Sequence, residues 1–243
     1  SNGQMFRIST FEFDSNFEFR VSNFPLPSYH HPPMKSDDWS SARRHLDRDP
    51  VLRDVIAAVG PCTLRPRRDH FVLLCKSIYS QQISAVVASV LFGRFREHFP
   101  RKRPTPRLVL DLLCNGSEAQ LKGCGLSRQK KEYLIDLSKH FLSGAIPNHR
   151  LSQLSDEEVI GALTAVKGIG RWTAEMFLIF VLNRPDVLPL DDLGLQRAIK
   201  SAYGLKHWPK AKQITKLGES WRPYRTIATW YLWRAADAGD GGW

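Results

Sequence analysis

Between Phe6 and Val21, apolar and polar positions alternate: Phe6 and Ile8, then Phe11 and Phe13, then Phe17, Phe19 and Val21 beyond an Asp14-Ser15-Asn16 break. Alternation interrupted by turn formers predicts a β-hairpin. Pro25, Pro27, Pro32 and Pro33 then form a linker. Residues 1–35 are therefore expected to be an extension ahead of the main domain, which spans 36–243. From Ser36 the pattern becomes helical, with apolar residues recurring every three or four positions. The spacing predicts helices over Trp39–Leu46, Val51–Val59, Phe71–Ser80, Ile83–Phe99, Pro106–Cys114 and Arg128–Ser143, with a short one near Ser117–Leu121. Ser155-Asp156-Glu157-Glu158 is a capping box flanked by Leu154 and Val159 as a hydrophobic staple, and predicts a helix to about Val166. Beyond residue 24 almost nothing reads as strand. The expected fold class is all-α.

Composition narrows the partner. The chain has 35 Lys+Arg against 24 Asp+Glu, a formal charge of +11, and a sequence pI of about 9.7. That surplus suits a polyanion, nucleic acid first, although a basic solvated surface has the same composition. No apolar window is long enough to span a membrane, and the first residues lack the apolar core of a signal peptide. Cys62, Cys75, Cys114 and Cys124 are scattered without a CxxC, and the histidines are dispersed. The expectation is no disulfide framework, no structural zinc and a reducing compartment.

The first chemical motif is Lys167-Gly168-Ile169-Gly170, which ends one predicted helix just before Arg171-Trp172-Thr173 opens another. Two glycines around an aliphatic residue permit a tight turn whose backbone approaches a ligand closely. The second helix presents free N–H groups and its positive dipole end in front of that turn, which suits a phosphate. Lys167, Gly168, Ile169, Gly170, Arg171 and Thr173 are the candidate DNA contacts. Backbone carbonyls of Thr164, Val166 and Ile169 are candidate ligands for a monovalent cation, Na⁺ or K⁺, bridging to the phosphate. A packed corner between two helices would look the same, so the turn alone is weak evidence.

Further on stands Leu188-Pro189-Leu190-Asp191-Asp192-Leu193-Gly194. With this segment the chain resembles the helix-hairpin-helix DNA glycosylases, in particular the 3-methyladenine DNA glycosylase II type. The likeness rests on SQQIS (80–84), GLSRQKKEYL (125–134), VKGIGRWTAEMF (166–177), DVLPLDDLG (186–194) and WRPYRTIATWYLWR (221–234), in the family's order. It implies two helical lobes with the active site in the cleft between them. One lobe would comprise about 36–80 and 200–243, the other about 81–199.

The resemblance puts the catalytic carboxylate at Asp192, where it would stabilise an oxocarbenium-like sugar and orient the attacking water. An aspartate at a helix start is more often an N-cap, and the expected division gives Asp191 that role, or one of supporting its neighbour, and Asp192 the chemistry. Family members that also nick DNA carry a Schiff-base lysine where this chain has Trp172. The iron–sulfur branch needs four C-terminal cysteines, and no cysteine follows Cys124. Both differences imply a monofunctional alkylpurine glycosylase with no required cofactor and no iron–sulfur cluster. Trp172 and Trp233 are the expected aromatic pocket for a cationic purine, with Met176 one turn beyond Trp172. Trp230 and Tyr231 read as core. Gln82 falls at the position of the wedge that fills the hole left by a flipped base; a glutamine capping its own helix is the competing reading. The basic clusters Arg65/Arg67/Arg68, Arg101–Arg103 and Arg128/Lys130/Lys131 are candidate phosphate contacts.

The expected partner is duplex DNA with alkylated bases, met by a monomer in a bacterial nucleoid or cytoplasm, or in a eukaryotic nucleus, and not secreted. The rivals are a glycosylase for another lesion, such as hypoxanthine, and a non-catalytic DNA-damage-binding protein.

Overall fold

A computed structural model describes residues 36–239. The expected hairpin and proline-rich linker lie outside the described residues. Within them the chain forms α1 (Ser36–Leu46), α2 (Pro50–Val59), α3 (His70–Ser80), α4 (Ala85–Glu97), α5 (Pro106–Asn115) and α6 (Glu118–Lys122). Next come α7 (Arg128–Ser143), α8 (Asp156–Thr164), α9 (Arg171–Phe180), α10 (Leu193–Ala202), α11 (Ala211–Glu219) and α12 (Arg225–Gly239). No strand occurs among the described residues.

Local chemistry sets most of the boundaries. Asp49, Ser84, Thr105, Ser117, Ser127 and Ser155 each accept a backbone N–H at the start of the following helix. The expected helix from Ile83 begins two residues later, at Ala85. Its start is shifted because Gln82 adopts φ +62° and Ser84 is the cap.

α3 packs on α4 and α7, and α7 on α5. α8 pairs with α9, while α12 lies against α10 and α2. α3 thus packs with helices that follow it, and α10 buries Leu195, Ala198 and Ile199. One apolar core runs from Leu46 and Ile56 through Leu134 and Phe177 to Leu232. The ring of Phe180 stacks on that of Trp233, with centroids 5.6 Å apart and planes 17° apart, which joins α9 to α12.

Candidate active site

The hairpin is built outward from its caps. Ser155 Oγ accepts the Glu158 N–H, and Glu158 Oε2 accepts the Ser155 N–H at 2.7 Å, so α8 starts where the sequence places it. Val166 and Ile169 are buried and pin the turn into the core. Gly168 takes φ +81°, and a Cβ there would lie 2.1 Å from the Tyr133 ring. Gly170 differs: its φ is −90°, and a Cβ would meet nothing within 4 Å. Only the first glycine is required by the fold. Gly170 caps α9 without any side-chain hydrogen bond, so the first N–H groups of α9 face outward from the turn.

Helix α7 supports this turn from behind. Asp136 Oδ2 accepts the Lys167 N–H at 2.8 Å, and Tyr133 packs against Gly168. The Val166 carbonyl accepts the Ile169 N–H at 3.1 Å, which leaves it one lone pair for another ligand.

The segment ahead of Asp192 is tied to the start of α12. Arg225 donates to the Asp186 carboxylate at 2.7 and 2.9 Å, and Arg222 joins it at 2.9 Å. Thr226 Oγ1 accepts the Val187 N–H at 2.9 Å. These contacts fix the loop to the helix that carries Trp233.

At the end of that loop Asp192 is only 2% exposed. Its Oδ1 accepts from the Leu195 N–H at 2.5 Å and from Trp233 Nε1 at 2.9 Å. Its Oδ2 accepts from Trp172 Nε1 at 2.8 Å. Three donors converge on one carboxylate at the N-terminus of α10, which is the environment a buried anion needs. Gly194 leaves room for it: a Cβ there would lie 3.1 Å from Asp192 Oδ1 and 3.3 Å from Trp233 Nε1.

The expected division of labour between the two aspartates is corrected here. Asp192 is itself the N-cap, and Asp191 is exposed. One oxygen caps the helix while the other faces Trp172, so the cap and the candidate chemistry share a residue.

Trp172 and Trp233 come together as the sequence reading expected, but as donors to the carboxylate rather than as two open faces. Trp233 is buried with one face on Phe180, whereas Trp172 is 37% exposed. Met176 is buried one turn along α9. Trp230 and Tyr231 lie in the core.

The side chain of Arg171 is engaged within the protein: its guanidinium pairs with Glu157 at 2.5 Å and with Glu175 at 3.1 Å. The phosphate contact expected of this residue is through its backbone amide, which these pairs leave untouched. Burial pushes the Glu175 carboxyl above its ordinary range, against the pull of Arg171, and the charge of Asp191 adds to the shift. Thr173 is half-buried, and Lys167 is exposed.

Gln82 is exposed in the turn between α3 and α4, with its backbone in the left-handed region. It does not cap α4; Ser84 does. Members of the basic clusters are partly paired: Lys102 with Glu97, Arg103 with Asp69, Arg128 with Glu132, and Lys130 with the Tyr79 carbonyl.

Residues missed in the sequence include Gln81, whose Nε2 donates to the Gly168 carbonyl at 2.8 Å, and also Tyr133, Asp136, Phe180 and Gly194. Gln81, Tyr133 and Gly194 stood inside motifs already singled out, but their partners are distant in sequence. Among the described residues no group of three His, Cys, Asp or Glu side chains could hold a metal ion, and no helix is long and apolar enough to cross a membrane.

Comparison with known proteins places this arrangement. The chain is 32% identical to the alkylbase DNA glycosidase-like protein mag2 of Schizosaccharomyces pombe over 82% of this chain and 95% of that one. The solved 3-methyladenine DNA glycosylase Mag1 of S. pombe, in complex with abasic DNA, is 34% identical. It superposes with a TM-score of 0.69 over 81% of this chain and 97% of that one. A DNA-3-methyladenine glycosidase from Bacillus halodurans gives 0.72 at 36% identity, covering 81% and 88%. Residues 75–223 match the family described as HhH-GPD superfamily base excision DNA repair protein. On these matches the chain belongs to the HhH-GPD superfamily of base excision DNA repair proteins.

Proposed function

We propose that this chain removes alkylated purines, of the 3-methyladenine and 7-methylguanine class, from duplex DNA by hydrolysing the N-glycosidic bond, and leaves the abasic strand intact. The observation that carries the reading is the Asp192 carboxylate, buried at 2% exposure between two indole N–H groups and a helix N-terminus. The names of its relatives as 3-methyladenine glycosylases support the substrate class.

The outward N–H groups of Gly170, Arg171, Trp172 and Thr173 hold a phosphate, and this contact carries no base readout. The hairpin carbonyls of Thr164, Val166 and Ile169 would hold a Na⁺ or K⁺, which would add positive charge against that phosphate. The flipped base stacks on the exposed face of Trp172, which favours a cationic lesion. Met176 lies beneath as apolar floor, and Trp233 completes the wall. As the glycosidic bond lengthens, positive charge grows on the sugar, and the fixed carboxylate stabilises it. The base leaves with the electron pair of the glycosidic bond, and a water adds to the sugar carbon, giving up its proton with Asp192 as acceptor. Such a base leaves readily because alkylation has made it cationic. Trp172 stands where a Schiff-base lysine would be needed for strand cleavage, so the reaction stops at the abasic site. The chain acts as a monomer without an iron–sulfur cluster.

The test is incubation of the protein with methylated duplex DNA in the presence of borohydride. Released 3-methyladenine and 7-methylguanine, an intact strand and no trapped adduct are expected. A covalent protein–DNA adduct overturns the monofunctional reading. No methylated base released, with hypoxanthine or uracil freed instead from parallel duplexes that carry those lesions, overturns the substrate class.

A further inference from the structure

We propose that Gln81 is the positioning residue that fixes the wedge turn against the phosphate-gripping hairpin, so that Gln82 enters the duplex at a set distance from the anchored phosphate. The proposal rests on the glycosylase reading and on Gln82 as wedge. Gln81 Nε2 donates at 2.8 Å to the carbonyl of Gly168, 87 residues away. A carbonyl only accepts, so the partner dictates which end of the Gln81 amide faces it. That carbonyl is itself held. Gly168 sits at φ +81° with its α-carbon against Tyr133, and Asp136 accepts the neighbouring Lys167 N–H.

The α3 end of the wedge turn is tied to α7 as well. Lys130 Nζ donates at 2.7 Å to the Tyr79 carbonyl. Lys130, Tyr133 and Asp136 recur every three residues along α7 and form one stripe. One rigid helix thus holds both turns, and Gln81 closes the gap between them directly. Gln82, next in sequence, is exposed with φ +62°. A non-glycine residue persists in that region when its surroundings over-determine it, and the bonds at Tyr79 and Gln81 supply that constraint. A backbone held this way presents the Gln82 side chain to the base stack without first being rearranged.

The test is a double-mutant cycle on the full chain. Gln81→Glu keeps the length but sets an acceptor against an acceptor; Gln81→Leu removes the bond without adding charge. Each is combined with Gln82→Ala. Single-turnover excision is measured on a methylated purine paired normally, and on the same lesion opposite an abasic site, where opening the pair costs less. Either Gln81 variant is expected to slow excision about tenfold on the paired lesion and less than about twofold opposite the abasic site. Affinity for undamaged duplex, set by phosphate contacts, should stay unchanged. In the Gln82→Ala background, losing Gln81 should add nothing.

Multiplicative losses, equal losses on both substrates, or a fall in undamaged-duplex affinity would each overturn the proposal, the last by making Gln81 a support of the hairpin alone. If Gln81→Glu fails to fold, Gln81→Leu decides. A wild-type chain that releases no base fails the reading of function instead. The latch is then judged from 2-aminopurine fluorescence beside an abasic site, which reports unstacking without chemistry: a signal lost in Gln81→Leu supports it, and one retained overturns it.

Discussion

Asp192 carries two jobs on two oxygens, and the substitutions that separate them follow from hydrogen-bond chemistry. Asparagine caps a helix as well as aspartate does, but its NH₂ would face one of the two indole N–H groups. Asp192→Asn should therefore lower excision by about 100-fold or more while costing about 1.5–3 kcal/mol of stability, a shift of about 3–12 °C in Tm for a domain of this size. Asp192→Ala removes the cap and the acceptor of both indoles together, and should lower Tm further. Excision by Asp192→Asn within threefold of wild type would remove the carboxylate from the chemistry. Trp172→Phe keeps a ring for stacking but deletes the N–H that meets Oδ2. A hydrogen bond to a charged group contributes about 1.5–3 kcal/mol, so kcat should fall about 10- to 100-fold for cationic and neutral lesions alike. Trp172→Ala removes the stacking face as well and should penalise 7-methylguanine more than hypoxanthine. Equal losses in Trp172→Phe and Trp172→Ala would mean that the indole acts through its N–H alone.

At the level of elements, the two glycines of the hairpin look alike in sequence and differ in space. Gly168→Ala drives a methyl into the Tyr133 ring at a left-handed φ, so it should cost about 1–3 kcal/mol and weaken DNA binding through a displaced turn. Gly170→Ala meets no atom. It should leave Tm unchanged while reducing affinity for abasic duplex, because the added methyl stands where the phosphate approaches. Thermal melts and binding isotherms on both variants check this pair, and an unstable Gly170→Ala would contradict it. Elements were legible wherever a local signal marks them, as at the capping box of Ser155 and the helix of Arg128–Ser143. The start of α4 was misplaced by two residues because a left-handed glutamine has no signature in an apolar pattern. The extra role of Asp192 was hidden for a related reason: either of two adjacent aspartates satisfies a cap, and only the path of the loop decides which one does.

For the whole molecule, the surplus of 11 positive charges is what remains after every carboxylate is matched with a cation, and only the part of it that faces the duplex counts toward phosphate contacts. Lys102, Arg103, Arg128 and Arg171 are among the cations matched with carboxylates. For a footprint of about four phosphates, the logarithm of duplex affinity should fall with that of salt concentration at a slope of about −3.6. Binding measured between 50 and 200 mM salt checks it. A slope near zero would mean that base and sugar contacts dominate.

Sequence by itself determined what depends on neighbours along the chain: the helical class, the caps, the glycine turn, and the residue types able to support charge on a sugar. It also brought Asp192, Trp172 and Trp233 under suspicion as one group. Tertiary structure alone decided how they meet. Both indoles turn their N–H groups to one carboxylate because α9 and α12 converge on the N-terminus of α10 and Phe180 covers a face of Trp233. In the same way the sequence assigns no partner to the Arg171 guanidinium until Glu157 and Glu175 close on it from two helices, and none to the Gln81 amide until Gly168 arrives 87 residues later. Local periodicity records which face of a helix is buried, but the partner on that face comes from a distant segment, and hydrogen-bond direction is set only when both are in place.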